Sequence, residues 1–263
     1  MQGDHATQVR TLGESRAVVL GGTSGVGLAT ALRLARAGSP EIVINGRDAK
    51  RGTAAVAAIE SAGGTAYFVE GDAGDPADVA RVVAEAHDRL GRIDVAVSAV
   101  APPGEVSLLE KIAADEMLRI LDALTRPPLL LTREVVPFMK SAGGGSIISV
   151  ASDAAKVTTP GEAVVGAGMA AIAMFSRTAA MEVKRHGIRV NVLTPSLISG
   201  TRTSDAILEH DLGSKIFEKV AAKAQLGVPT ADEVAGLIEF LAGPAAAKIT
   251  GQVISINGGI SAG

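Results

Sequence analysis

The stretch "RAVVLGGTSGVGLATALRLARAG", residues 16–38, decides the fold. Its opening, "RAVVLGG" (16–22), is an apolar run of strand length. "GVGLATALRLARAG" (25–38) follows with Leu28, Leu32 and Leu34/Ala35 at helical spacing, and Gly38 and Pro40 stop it. Between them "LGGTSGVG" (20–27) places Gly21, Gly25 and Gly27 in a G-x-x-x-G-x-G string. Glycines at a strand-to-helix junction let the backbone turn sharply, approach a pyrophosphate and pack the helix onto the sheet. The helix N-terminus then faces the phosphate charge.

The same alternation runs along the chain. Strands are expected at 41–46, 65–72, 92–100, 145–152, 188–195 and 252–257. Helices are expected at 48–64 (capped by Asp48), 75–91 (capped by Asp75, with Pro76 in the first turn), about 115–140, 161–186, near 203–224 and 230–242. Strands apolar on both faces and alternating with helices indicate a parallel sheet covered on both sides. The fold class expected is α/β, one doubly wound domain over 16–263 after a polar tail at 1–15, with no internal repeat or interdomain linker.

Composition narrows the function. The 263 residues carry a net charge of −3, with Lys and Arg scattered, which speaks against a nucleic-acid surface. Aromatics are only 2%, so the core must be built from Ala, Val, Leu and Ile. There is no cysteine, which excludes disulfides, thiolate zinc sites and a Cys nucleophile. No apolar run of about 18 residues free of charge argues for a membrane span, and "MQGDHATQVRTLGESR" lacks the basic and apolar segments of a secretory signal. A cytoplasmic location is expected. His5, His87, His186 and His210 share no metal-ligand spacing, so no metal is expected.

Two further residues bear on a cofactor. The second strand ends "INGR": Gly46 stands where an acid would grip a ribose 2′-hydroxyl, and Arg47 follows. A cation there suits a 2′-phosphate, so NADP(H) is favoured with NAD(H) possible; the plain alternative is a solvated arginine. Asp72, ending the third strand, is either a partner for an adenine amino group or a turn carboxylate.

At this point the chain resembles the short-chain dehydrogenase/reductase family along nearly its whole length. The pieces that carry the resemblance are "GGTSGVG", "GDAGDPADV", "GRIDVAV", "GGGSIISVAS", "AAMEVKRHGIRVNVLTP" and "ITGQVISINGG". The resemblance implies a Rossmann-type sheet of about seven strands, a nicotinamide cofactor, and an oligomer through the long central helices. It places Gly21, Thr23, Ser24, Gly25, Val26, Gly27, Arg47, Asp72, Pro195 and Ile198 at cofactor-binding positions. The family moves hydride between nicotinamide and a carbonyl or alcohol carbon. The paired proton passes through a tyrosine beside a serine, with a lysine that lowers the tyrosine's pKa and an asparagine on a central helix.

Ser152, closing "IISVAS", matches the serine. The tyrosine position then falls on Val165, the lysine position on Met169 and the asparagine position on Ala123. The family's "NNAG" reads "SAVA", Ser98 to Ala101, and its "PG" turn reads Pro195-Ser196. The single tyrosine of the chain is Tyr67, in the third strand, so no shift of register recovers the missing group. "GEAVVGAGMAA" (161–171), with an exposed-looking Glu162, reads as the family's catalytic helix without its chemistry.

The leading expectation is therefore a catalytically silent subunit that keeps fold and cofactor pocket and assembles with an active related chain. The alternative is an active NADP(H)-dependent oxidoreductase whose proton comes from Asp153, Lys156 or water. A third reading is a nucleotide-binding sensor or a non-redox enzyme. Ser152 alone is a polar handle. Residues 196–226 occupy the family's substrate lid, and a small-molecule substrate is the expected partner, with neither nucleic acid nor membrane.

Overall fold

Every strand of the sheet runs parallel, in the order β3-β2-β1-β4-β5-β6-β7. The computed structural model describes residues 9–100, 107–208, 214 and 218–262. The strands are β1 (Ala17–Leu20), β2 (Glu41–Gly46), β3 (Thr65–Glu70), β4 (Val95–Ser98), β5 (Gly145–Val150), β6 (Ile188–Thr194) and β7 (Val253–Ser255). The helices are α1 (Gly25–Arg36), α2 (Ala49–Ser61), α3 (Pro76–Leu90), α4 (Ala114–Ala142), α5 (Ala163–Val183), α6 (Arg202–Leu208) and α7 (Ala231–Ala242). This is the doubly wound Rossmann-type α/β sheet expected from the sequence. The strand order reverses between β1 and β4, which opens a crevice at their carboxyl ends.

Two cores follow from the alternation of side chains along each strand. Val18 and Leu20 of β1 point to the face covered by α3, α4 and α5, where Val79, Val82, Leu131, Val135 and Ala180 are buried. Ala17 and Val19 point to the opposite face, with Leu34 of α1, Ile59 of α2 and Ile238 and Leu241 of α7. Ala163–His186 is long and apolar enough to cross a membrane by length and composition. In this fold its Val164, Ile172 and Val183 are buried in three different apolar clusters, and its low polarity goes with that packing.

The expected strands are present, most of them shorter, and so are the expected helices except the one near 203–224, of which Arg202–Leu208 is helical and 209–213 and 215–217 lie outside the described residues. The run 92–100 contributes only Val95–Ser98 to the sheet, and 16–22 only Ala17–Leu20: the residues after Leu20 and Ser98 turn into the loops of the crevice, and those before Ala17 and Val95 belong to the opposite end. Asp48 and Asp75 cap their helices as expected, accepting from Arg51 N and from Ala77 N and Asp78 N. Residues 1–8, with His5, lie outside the described residues. The rest of the polar tail is tied down: Leu12–Glu14 form a 3-10 turn, and Arg10 reaches back to Asp94 and to the Ala142 carbonyl.

Two buried charges hold the end of the sheet opposite the crevice. Asp94, 5% exposed, accepts from Arg10 Nη1 at 3.0 Å, Arg92 Nε at 2.9 Å and the Arg16 amide at 2.9 Å. Arg189 donates to the carbonyls of Leu241, Ala242 and Ala246, closing the carboxyl end of α7, where a cation is favoured. Burial pulls its guanidinium down to about 10.

Asp94→Ala leaves three donors without their acceptor in a largely buried place. The expected loss is about 2–3 kcal/mol, or a fall in Tm of about 5–10 °C. Thermal unfolding followed by circular dichroism checks this; an unchanged Tm would show that Asp94 does not anchor the segment before β1.

Candidate functional site

The turn from β1 into α1 is built by close backbone approach. Gly21 has φ +74°, and a Cβ there would lie 2.7 Å from the Ala99 carbonyl oxygen on the neighbouring β4 loop. A Cβ on Gly27 would lie 2.2 Å from the Gly21 carbonyl oxygen. No larger residue fits either place. Ser24 precedes α1 without a side-chain capping bond, so the first N–H groups of the helix, at Gly25, Val26 and Gly27, are left for an anion. Glycine backbone, helix N-terminus and switch-point crevice together fit the pyrophosphate of a dinucleotide.

Thr23 completes the turn by lying on Gly46. A Cβ at Gly46 would come within 2.7 Å of Thr23 Cγ2, so a larger residue there would require the Thr23 side chain to shift. Arg47 is exposed and lines a cavity of about 520 Å³ with Asp72, Asp78 and Arg81. Arg81 is already engaged by Asp78 at 2.8 Å, Glu85 at 3.1 Å and the Glu70 carbonyl at 2.7 Å. Arg47 makes no ion pair among the described residues. Asp72 is exposed, and its Oδ1 accepts the Gly74 amide at 2.9 Å, which makes it the carboxylate of its own turn.

The segment after β6 closes the crevice from the other side. The Pro195 carbonyl accepts the Asp153 amide at 2.9 Å. Ile198 packs into the core of the α1 face and its carbonyl accepts from Thr201 Oγ1 at 3.1 Å. Thr201 Cγ2 lies 3.8 Å from where a Gly25 Cβ would stand, so the start of the expected lid sits over the glycine turn. Residues 209–213 and 215–217 of that lid, with His210, and Ala101 of the β4 loop lie outside the described residues.

On the chemical side, Ser152 follows β5 and caps the 3-10 turn Asp153–Ala155; its Oγ accepts the Ala154 amide at 3.2 Å. Its hydroxyl proton is still available to a substrate oxygen. Asp153 and Lys156, expected as substitute proton donors, are placed otherwise. Asp153 is 4% exposed, and its Oδ1 accepts from Ser255 Oγ at 2.9 Å while Oδ2 accepts from Asn257 Nδ2 at 2.6 Å and from the Ser261 hydroxyl. Lys156 Nζ stands 3.8 Å from Asp153 Oδ1 and donates to the Ser255 hydroxyl. Burial by itself would raise the Asp153 carboxyl, but the donors from Ser261, Asn257 and Ser255 and the Lys156 charge outweigh it and hold the group below the usual carboxylate range. This network ties the turn after β5 to the segment after β7 and engages both residues in hydrogen bonds or ion pairing away from the Ser152 hydroxyl.

Val165 and Met169 lie in apolar surroundings. Both are half-buried and pack with Ile120 and Leu124 of α4 and Val164 of α5, and Met169 also reaches Ala151 and Ile172. The glycines around them have a packing reason. A Cβ on Gly166 would lie 2.9 Å from the Ala154 carbonyl oxygen, and one on Gly168 would lie 3.1 Å from Leu124 Cδ1. The helix is small-sided so that it can press onto the Ser152 turn and onto α4. Ala123, on which the family's asparagine position falls, is exposed; the inward residue of that turn of α4 is Leu124.

The remaining candidates stay apart. Tyr67 hydrogen-bonds Glu41, the first residue of β2, at the opposite end of the sheet from Ser152. His87 stacks on Phe138. His186 ends the turn after α5, its imidazole lowered by desolvation and by Lys140 and Arg185. Among the described residues no three His, Asp or Glu side chains gather as a metal set. Glu162, by contrast, reads as exposed in the sequence and is half-buried in the structure. Desolvation raises its carboxyl above the ordinary value, opposed only by a hydrogen bond from Thr159. The signal in the sequence was a single acid opening a helix that carries no other charge before Arg177.

A family model described as enoyl-(acyl carrier protein) reductase matches residues 21–261. The chain is 33% identical over 260 residues to dehydrogenase/reductase SDR family member 4 of Oryctolagus cuniculus, covering 98% of each chain. It is 31% identical over 245 residues to a 3-oxoacyl-[acyl-carrier-protein] reductase of Synechocystis, covering 93% of this chain and 96% of the other. A solved short-chain type dehydrogenase/reductase from Mycobacterium ulcerans superposes with a TM-score of 0.87 at 26% identity, covering 95% of this chain and 91% of that one. The chain belongs to the short-chain dehydrogenase/reductase family.

Asp153→Asn tests the buried network. A carboxyl whose folded pKa lies below its unfolded value of about 3.9 contributes stability above that pH and loses it as pH falls toward the folded value. Denaturant unfolding is expected to show a deficit of about 1–3 kcal/mol for the variant at pH 7, shrinking below pH ~4. A deficit that stays constant into strong acid would contradict an ionised, hydrogen-bonded Asp153.

Proposed function

We propose that this short-chain dehydrogenase/reductase binds NADP(H) at the glycine turn and acts as an oxidoreductase on a small carbonyl or alcohol, without the tyrosine–lysine pair of its family. The observation that carries this reading is the cofactor half of the crevice: the Gly21–Gly27 turn, the uncapped start of α1, and Arg47, without an ion pair among the described residues, beside Gly46, which brings no acid of its own. The backbone N–H groups of Gly25, Val26 and Gly27 would hold the pyrophosphate and Arg47 the 2′-phosphate. Bound there, the nicotinamide supplies or accepts a hydride. Ser152 donates a hydrogen bond to the substrate oxygen, and Val165 and Met169 keep water from that side of the site. Positioning by itself accounts for a large share of a barrier of this kind.

A second reading has its own observation. The apolar packing of Val165 and Met169 against α4 leaves no group at the family's relay positions. Loss of acid–base assistance costs about 10²–10⁴ in rate, or about 3–5 kcal/mol. On that reading the chain is a silent subunit of a hetero-oligomeric dehydrogenase, and an active related chain supplies the chemistry. Native mass of the complex from source cells, with NADPH turnover by the purified chain over a carbonyl panel, separates the two. A second short-chain dehydrogenase chain in fixed ratio, with no turnover by this chain alone, selects the silent subunit. Turnover by a homo-oligomer selects the oxidoreductase.

Arg47→Ala is expected to weaken NADP(H) binding about 10–100-fold by calorimetric titration, from the loss of one charged contact of about 1.5–3 kcal/mol. NAD(H) binding is expected to stay within about 2-fold, because no 2′-phosphate is present to feel the change. Equal losses for both nucleotides would reject the role of Arg47.

A further inference from the structure

The segment after β7 is bonded on two sides. Asn257, 5% exposed, donates from Nδ2 to Asp153 Oδ2 at 2.6 Å and to the Ser261 hydroxyl at 2.9 Å. The Ser261 hydroxyl donates in turn to the same Asp153 oxygen. Asp153 Oδ1 is taken by Ser255 of β7 itself, so Oδ2 is the oxygen given to this segment. Asp153 directly follows Ser152, and its amide is held by the Pro195 carbonyl at 2.9 Å. One side of the segment thus fixes the turn that presents Ser152.

The other side holds the returning limb of the expected lid. The Leu226 amide donates to the Gly258 carbonyl at 3.0 Å. Gly258 has φ +67°, and a Cβ there would collide with the Gly227 carbonyl oxygen and come within 3.1 Å of Ala224 Cβ. Glycine permits both the backbone conformation and the close approach. The lid is also closed at its base, where the Ser199 amide donates to the Pro229 carbonyl at 2.9 Å. Asn257 uses both ends of its side chain: Oδ1 accepts the Gly259 amide at 3.0 Å and shapes the turn, while Nδ2 serves Asp153. Among the described residues no hydrogen bond runs directly from 152–157 to 196–226. The segment after β7 makes that connection.

We propose that Asn257 is a positioning residue of this site: with Gly258 and Ser261 it clasps the Ser152 turn to the returning limb of the lid. The two then move as one body. Closing the lid over a substrate needs no separate ordering of the turn that carries Ser152, and the cost of that ordering is kept out of binding. The link is a contiguous chain of backbone and side-chain hydrogen bonds, from Leu226 through Gly258 and Asn257 to Asp153. It exists whatever the reaction is. Its effect on turnover rests on the oxidoreductase reading above.

Amide hydrogen exchange on the full chain tests the link from both directions, because coupling between two places is reciprocal. Ser261→Ala cuts the clasp on the Asp153 side. It is expected to speed exchange of the Leu226 amide about 2–10-fold, the loss that one hydrogen bond carries. Gly258→Ala cuts it on the lid side and is expected to speed the Asp153 and Ala154 amides, with the amides of β1 unchanged. Acceleration confined to the substituted side overturns the clasp, and Ser261→Ala decides this alone where Gly258→Ala does not fold. In turnover of carbonyls with NADPH, Ser261→Ala is expected to raise KM about 2–10-fold, with kcat and NADP(H) affinity within about 2-fold. An unchanged KM overturns the positioning role and leaves the oxidoreductase reading in place. Absence of turnover by the wild-type chain overturns that reading and the positioning role together, whereas the exchange rates decide the link by themselves.

Discussion

The carbonyl of Gly21 lies so close to the first turn of α1 that no side chain fits at Gly27. This contact sets how near the helix comes to the sheet, and with it the shape of the crevice at the carboxyl ends of β1 and β4. Gly21 itself is pressed against the Ala99 carbonyl, so the β4 loop is positioned from the same point. Thr201 then closes over Gly25 from the segment after β6. Three stretches distant in sequence meet at one glycine turn because only backbone occupies its centre.

The far wall of the crevice obeys a different constraint, the burial of charge. A carboxylate taken out of water needs donors on its oxygens. Asp153 finds them in Ser255, Asn257 and Ser261, with Lys156 as counter-charge. The consequence is architectural: the turn that presents Ser152 is bolted to the last strand and the chain beyond it. Ionisable residues next to Ser152 in sequence therefore serve the position of Ser152.

How far the sequence speaks for the molecule depends on the kind of interaction. Hydrophobic period and turn residues are local, so the sheet, the helices and the caps at Asp48 and Asp75 are legible from the chain alone. So is the glycine turn, because its requirement is steric and sits within a few residues. The inward face of the long α4, which runs through Pro127 and Pro128, is less legible. Ala123 and Leu124 differ by one step of helix rotation, which only packing against Gly168 decides. The fate of Asp153 was not readable at all. Its partners lie about a hundred residues away, and a charged pair beside a predicted cleft has the same appearance whether it faces solvent or a buried network.

Glu162 shows the same limit from the other side. An acid before an uncharged helix looks like an ordinary solvated cap, and the dipole of α5 would reward that arrangement. The chain instead brings the 107–113 segment across this end of α5, and burial raises the Glu162 carboxyl above its ordinary value. Val165 and Met169 follow in an apolar cluster with Ile112, Ile120, Leu124 and Val164, so the helix continues into low-polarity surroundings. A low-polarity environment of that kind disfavours a carboxylate, and burial moves Glu162 in that direction.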